Sequence, residues 1–449
     1  MTSAATDENL ADKPEESSST AVPRPALILD CEISEPISDI RPVGESYLEA
    51  WILLRLFTEP VGFVRLPFLD GAVSTAAIVD AVQAECGETV NDLVSSNGGD
   101  PTAVLAGRGT SIENAPKFIA DQQRLIESGP KVTVVICTRD RPDDLDRAID
   151  SLRQQRYRNF DVLVVDNAPP NDSTRTRIAA RPASDNITYT VEPRKGLSWA
   201  RNCAIAMVTS PYVAWMDDDE TADPHWLVEI MAGFDRLPDA AAVSGIVVPA
   251  EVRTQPQLWF EQYGGHSKGR GFVQDVFDAK APGAQSPLFP VPPFGVGANM
   301  AFNTAKMRAM GFDNAMGAGT LTCGCEDTLI FSRLLLAGEK VVYQPTALMR
   351  HYHREDWDAL TKQMYGYGAG LTAFYTALLR YEPKQLLALF ALIPAAARTA
   401  FGKGEVSMRG VPEDFPTELL RYKTRGMIAG PVLYLRAAAR ARRARRSSP

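Results

Sequence analysis

No stretch of the 449 residues reaches the ~18 uninterrupted apolar residues of a membrane-spanning helix, so the chain is expected to be soluble or peripheral. Basic charge is short as well. Lys and Arg number 47 against 55 Asp and Glu, a formal net charge of -8, which lacks the positive footprint by which proteins hold nucleic acid. Nucleic acid is therefore not an expected partner. Cysteine is sparse: six thiols over this length do not make a disulfide-stapled secreted scaffold. Residues 1–24 are acidic and polar, with neither the basic start nor the apolar stretch of a signal peptide, and are expected to form a disordered tail. A reducing, cytoplasmic setting fits these absences. No internal repeat is present.

What is present divides into zones. Residues 25–128 mix apolar pieces such as Trp51–Phe57 and Ala76–Val82 and are expected to form an α+β unit whose role the sequence does not reveal. Residues 129–355 alternate β-branched runs with helical patterns, the arrangement of an α/β domain with helices covering a largely parallel sheet. The expected strands are Lys131–Cys137, Phe160–Val165, Ile187–Val191 and Tyr212–Met216. A helix beginning near Pro142 carries Leu145, Ala148, Ile149 and Leu152 on one stripe, and another is expected over Ser198–Val208. Residues 356–449 read as a helical segment with an arginine-rich end.

Asp217, Asp218 and Asp219 follow the fourth of these strands directly, where ligands of open α/β sheets collect. Three adjacent carboxylates repel one another and raise each other's pKa unless a cation neutralises them. Hard oxygen ligands suit Mg²⁺ or Mn²⁺, which bridge to phosphate oxygens. A solvated acidic loop would have the same composition, so the triplet alone does not decide.

Its neighbours resemble, in order, the motifs of the inverting family 2 glycosyltransferases of the GT-A fold. Thr138-Arg139-Asp140-Arg141 is similar to the loop that takes up the nucleotide base, with Asp140 where many members have Asn. Val164-Val165-Asp166-Asn167 resembles the second-strand motif, and Gly196 to Asn202 the Gly-x-x-x-Ala-Arg-Asn segment. Asp217-Asp218-Asp219 stands at the Asp-x-Asp position. Gly297 to Phe302 and Gly311-Phe312-Asp313 resemble an acceptor-side strand and turn. Glu326-Asp327 resembles the Glu-Asp motif and Tyr343 to His351 the closing strand.

This resemblance implies a GT-A fold, a Rossmann-like mixed sheet. It implies metal-dependent, inverting, non-processive sugar transfer from a UDP-, GDP- or dTDP-linked donor to a hydroxyl acceptor. Asp327 is the implied catalytic base. Thr138, Asp140, Arg141, Asp166, Asn167, Gly196, Arg201, Asn202, Asp217 and Asp218 fall on the donor side; Arg201 could instead only pair with an aspartate. Asp217, Asp219 and His351 are the implied ligands of Mn²⁺ or Mg²⁺, with His353, on the same side of an extended strand, the alternative to His351. Glu326, Trp259 and Asn299 fall on the acceptor side.

Other readings are weighed against this one. A sugar nucleotidyltransferase should carry a Gly-rich loop after the first strand, where this chain has no Gly. A processive synthase should carry spanning helices and a Gln-x-x-Arg-Trp motif, both missing. A non-catalytic sugar-binding module keeping the fold should have lost Asp327 or the triplet. Cys323-x-Cys325 with His351-x-His353 suggests Zn²⁺, although the cysteine spacing is not the usual one. Residues 251–295, with Trp259, Phe260, Tyr263, Phe272, Phe277 and Phe294 among Gly and Pro, read as an irregular acceptor-binding insertion or a self-packed lid. Arg436, Arg440, Arg442, Arg443, Arg445 and Arg446 lie on an expected amphipathic helix that either contacts an anionic membrane surface or is simply solvated.

Overall fold

A small sheet forms from the apolar pieces near the N-terminus. The computed structural model describes residues 26–42, 47–284, 286–288, 294–391, 394 and 415–446, so the expected tail over 1–24 lies outside the described residues. Strands β1 (Ala26–Glu32), β2 (Glu49–Leu56) and β3 (Glu59–Pro67) pair in that order, β1 with β2 parallel and β2 with β3 antiparallel. Alternate side chains of a strand point to opposite faces. Ala50, Ile52, Leu54 and Leu56 therefore pack with Ile78, Val82, Val90 and Val94 of the helix Thr75–Ser96. Trp51 and Leu53 face the other way, Trp51 meeting Val252 and Leu258, and Leu53 meeting Ile246, Val248 and Leu348. Burial on both faces is why β2 reads as one apolar run. Ion pairs from Arg55 to Asp223 and from Asp30 to Arg350 join the two layers at their margin.

The larger sheet contains β4 (Val132–Thr138), β5 (Phe160–Asn167), β6 (Ile187–Glu192), β7 (Tyr212–Asp217), β8 (Glu220–Ala222), β9 (Ala242–Pro249), β10 (Asp275–Asp278), β11 (Asn299–Asn303) and β12 (Lys340–His351). Their order is β10-β12-β9-β11-β7-β4-β5-β6, with β8 on β12. The four strands β7-β4-β5-β6 are parallel, as the β-branched runs predict; β11 enters antiparallel between β7 and β9, making the sheet mixed. On one face Val134 and Ile136 pack with Leu145, Ala148, Ile149 and Leu152 of the helix Pro142–Leu152, the stripe expected from its spacing. On the other, Val135, Leu163 and Trp215 meet Ala200, Ala204 and Ile205 of the helix Leu197–Met207 and Ile330 and Leu334 of the helix Glu326–Leu336.

The described residues between 251 and 295 are more regular than expected. They hold β10 and the helix Gln255–Gln262, which starts with a capping box: the Thr254 side chain accepts from the Gln257 N–H and the Gln257 side chain accepts from the Thr254 N–H. After β12 the helices Trp357–Tyr381 and Thr417–Arg446 pack together against residues around Met316 and Leu329. The apolar run from Leu386 is helical through Ala391; Leu392 and Ile393 lie outside the described residues. Among the described residues no helix is long and apolar enough to cross a membrane.

Candidate active site

Parallel strands that start together also end together. Thr138 of β4 is in register with Asp166 of β5, and Cys137 with Asp217 of β7, so the base loop, the second-strand Asp and the acidic triplet form one row at the carboxyl ends. The row is latched by side chains. Thr138 Oγ1 donates to Asp218 Oδ2 at 2.7 Å, and Arg141 Nη1 donates to Asp218 Oδ1 and Asp219 Oδ2, each at 3.0 Å. Asp218, left without a metal role by the sequence, thus ties the triplet to the loop before the helix Pro142–Leu152.

Charge at this row is out of balance. Asp217, Asp218, Asp219, Glu220, Glu326 and Asp327 lie together, and their ion-pair partners are three guanidinium groups, Arg141, Arg201 and Arg354, plus the imidazole of His351. Burial, reinforced by Asp219, pushes the Asp218 carboxyl up to about 7. Burial likewise raises Asp217, and raises Glu220 well above the carboxylate range with Asp217 adding to it. Asp219 is the exception: burial opposes its charge, but His351, Arg354 and Arg141 outweigh that and hold it well below the ordinary value. Arg354, which no sequence motif singled out, donates to Asp219 Oδ2 at 3.1 Å.

Across from the triplet stands the Glu-Asp pair. Arg201, fully buried, donates to Glu326 Oε1 at 2.9 Å and to the Gly297 carbonyl at 3.1 Å, and reaches Asp217 Oδ1 at 3.5 Å. Gly297 N–H in turn donates to Asp327 Oδ2 at 2.6 Å, while Asp327 Oδ1 accepts from Thr328 N–H at 2.7 Å. A Cβ on Gly297 would sit 3.2 Å from Asp327 Oδ2 and 3.4 Å from Arg201 Nη1, so a side chain here would press on both groups. Two residues, Arg201 and Gly297, stand between Asp217 of the acidic triplet and the candidate base.

Comparison with known sequences agrees with this layout. Residues 133–281 match the model of glycosyl transferase family 2, and residues 212–410 match that of glycosyl transferase family group 2. The chain belongs to glycosyltransferase family 2. It is 31% identical over 247 residues to the pre-mycofactocin glycosyltransferase of Mycobacterium tuberculosis, covering 53% of this chain and 47% of that protein. It is 28% identical over 135 residues to a glucosyl-dolichyl phosphate glucuronosyltransferase of Haloferax volcanii, covering 30% and 43% respectively. A succinoglycan biosynthesis protein of Rhizobium meliloti is 29% identical over 223 residues, 48% of this chain and 65% of that one. The chain spans less than half the length of the first two.

Within this family 2 chain several expected site residues are spent on the scaffold instead. Asn167 donates to the carbonyls of Glu192 and Arg194 and accepts from Gly196 N–H at 2.8 Å, clasping the loop before the helix Leu197–Met207 rather than facing a ligand. Gly196 opens that helix at φ +137, where a side chain would be strained and would press on Thr320. Asn202 bonds to both N–H and C=O of Phe312 and to Asn314. Asn299 corrects the acceptor-side expectation outright: it is fully buried, accepts from Trp226 Nε1, and donates to the carbonyls of Ile246 and Ala347. Glu326, also expected on the acceptor side, is buried on Arg201. Trp259 sits edge-on to Trp357 with ring centroids 5.3 Å apart, so one side of its ring is already packed.

Two residues keep free capacity. Asp166 is buried, accepts from the Tyr189 hydroxyl at 2.9 Å through Oδ2, and has no partner for the buried Oδ1; burial raises its pKa. Asp140 is exposed at the turn after β4 with φ +59.

The donor set at the triplet fits a hard divalent ion. Asp219 Oδ1 and His351 Nε2 are 3.3 Å apart, close to the ~3 Å separating neighbouring ligands of an octahedral ion with bonds of about 2.1 Å. Asp217 supplies a second, partly open carboxylate. The alternative Zn²⁺ set is not formed. His351 and His353 are joined by His266, a residue no motif announced, and not by Cys323 or Cys325. Cys325 is half-buried, desolvation pushing its thiol up to about 12, and no cysteine is paired.

Proposed function

We propose that this chain transfers a sugar, with inversion, from a nucleotide-sugar donor to a hydroxyl acceptor, using a divalent metal. The observation that carries the reading is the bridge Asp217–Arg201–Gly297–Asp327, in which Nη2 of one buried guanidinium contacts both the acidic, cation-fitting row and the carbonyl of the glycine whose N–H holds the candidate base. The unpartnered Oδ1 of Asp166 supports a role in accepting an N–H of the nucleobase, with Asp140 at the same strand-end row. Arg141 and Arg354, both anchored on Asp219, supply positive charge for a diphosphate. Asp217, Asp219 and His351 would hold Mn²⁺ or Mg²⁺, whose contribution when bound is to neutralise the charge of the departing diphosphate. Asp327, oriented by Gly297 and Thr328, takes the acceptor proton as its oxygen attacks the anomeric carbon.

A second surface belongs with this reading. The helix Thr417–Arg446 exposes Ile428, Val432 and Leu435 near its arginines, a pattern that suits the surface of an anionic bilayer. Co-sedimentation with phosphatidylglycerol vesicles but not with phosphatidylcholine vesicles tests it.

The donor is found by thermal shift against UDP-, GDP- and dTDP-sugars with Mn²⁺, because a ligand of the folded state raises its apparent stability. One of these should raise the melting temperature of wild type and of Asp327→Asn alike, and less so that of Asp219→Asn. No shift with any donor contradicts the reading.

A further inference from the structure

Three contacts in a row join Glu261 to Asp219 through two imidazoles. Glu261 Oε1 lies 2.8 Å from His353 Nε2, His353 Nδ1 lies 2.9 Å from His351 Nδ1, and His351 Nε2 lies 3.3 Å from Asp219 Oδ1. All four residues are buried. Each contact brings together two atoms that both carry lone pairs, so each needs a proton or a cation between them. Two neutral imidazoles bring two protons for three gaps.

The distances say which gap goes without. The two at 2.8 and 2.9 Å are hydrogen-bond lengths, and the third is the longest. Glu261 is acceptor-only when ionised, and the Arg65 guanidinium of β3 approaches its other oxygen at 3.5 Å. His353 must then carry its proton on Nε2, leaving Nδ1 to accept from His351 Nδ1–H. His351 Nε2 is left with a bare lone pair facing Asp219. That is the ligand atom a cation between them requires.

We infer that Glu261 and His353 are positioning residues that fix the tautomer of His351, so that its Nε2 is delivered unprotonated to the divalent cation shared with Asp219. The inference rests on the metal reading above. It also separates the roles of the two histidines: His351 binds and His353 orients. Carboxylate-to-histidine support of this kind typically governs metal affinity by about 10- to 100-fold. It further gives the N-terminal layer a link to the site, because Arg65 belongs to that layer. His266 packs over His351 with ring centroids 4.4 Å apart and its buried Nε2 bonds to nothing, so it takes no part in the chain of contacts.

The test uses the full-length protein without metal and then with Mn²⁺. Long-range ¹H–¹⁵N spectra of the metal-free protein at neutral pH, assigned with His351→Gln and His353→Gln, should find a proton on His351 Nδ1. A bare Nδ1 with the proton on Nε2 overturns the proposal, whether or not Mn²⁺ binds. Titration with Mn²⁺ followed by electron paramagnetic resonance should give Glu261→Gln an affinity about 10- to 100-fold weaker than wild type, with metal-free melting unchanged. A Gln that keeps its oxygen on the Arg65 guanidinium turns its NH2 to His353 and drives the proton to His351 Nε2. His266→Phe should bind Mn²⁺ as wild type does. Unchanged affinity in Glu261→Gln, or loss in His266→Phe, overturns the proposal, the latter by putting the ion among the three imidazoles. Failure of the metal reading itself is visible separately, as a wild-type protein that binds no Mn²⁺.

Discussion

Arg201 Nη1 stands 2.9 Å from Glu326 Oε1 with both side chains buried. A buried pair of this kind is costly to break from one side, because the remaining charge loses its partner and has no water to replace it. Arg201→Met leaves Glu326 and Asp217 facing each other's charge and should lower unfolding free energy by about 3–5 kcal/mol. Glu326→Gln keeps a hydrogen-bond acceptor for the guanidinium and should cost less. Urea denaturation of both variants measures the difference, and equal losses would contradict it.

Stability of the metal-free protein should fall as pH rises. Burial holds the carboxyls of Asp218 and Glu326 up to about 7, against 3.8 and 4.5 for the free groups, so between those limits the folded state keeps protons that the unfolded chain has released. Where the folded state binds more protons, stability decreases with pH, by up to about 1.4 kcal/mol per pH unit for each such group. The contribution is complete below pH ~4 and gone above the folded value. Asp219 acts in the opposite sense, but its depressed carboxyl matters only below the ordinary carboxylate range. Burial depresses His266 and His353, which act in the opposite sense only below their ordinary value of about 6.5. Melting in EDTA between pH 6.5 and 8 should therefore show a decline, shallower in Asp218→Asn. A rise across that window contradicts the account.

Gly297→Ala should slow turnover while leaving donor binding intact. The added methyl meets Asp327 Oδ2 at 3.2 Å and Arg201 Nη1 at 3.4 Å, so the base or its guanidinium support must shift by a few tenths of an ångström. Displacement of a reacting group by 1 Å costs on the order of 100-fold in rate, and a smaller shift about 10-fold. Initial rates should drop in kcat with KM for the donor little changed.

Asp166→Ala should have the reverse signature. Removing an acceptor that is buried and half unpartnered costs binding of the base by roughly 1.5–3 kcal/mol, about 10- to 100-fold. Calorimetry with the free nucleoside diphosphate reads this directly, and an unchanged affinity would remove Asp166 from the donor site.

Much of the site was legible before the structure because its parts are local. β4, β5 and β6 are short β-branched runs and β7 a short apolar one, which Asp217 closes with Asp218 and Asp219 next in the chain. What stayed hidden depends on chain crossings. Arg354, Glu261 and His266 come to the site from segments with no motif of their own, and His266 lies 85 residues before His351 in the chain, so only the fold brings them together. Asn167, Asn202 and Asn299 look like ligand contacts in sequence because polarity does not say where it is spent; each is consumed by carbonyls and N–H groups of nearby backbone or by Trp226 and Asn314. The helix Gln255–Gln262 is a different case. Its signal was there, a Thr-x-x-Gln cap with Pro256 in the first turn, inside a segment whose Gly and Pro content reads as irregular.

The central claim is that Asp327 and the row at Asp219 act together on a nucleotide sugar. It is tested most directly by measuring release of nucleoside diphosphate from the donor picked out by thermal shift, with and without Mn²⁺, in wild type and Asp327→Asn. The account predicts metal-dependent release by wild type, a loss on the order of 100-fold or more in Asp327→Asn, and unchanged donor binding by that variant. Release that proceeds equally without a divalent metal, or equally in Asp327→Asn, would contradict it.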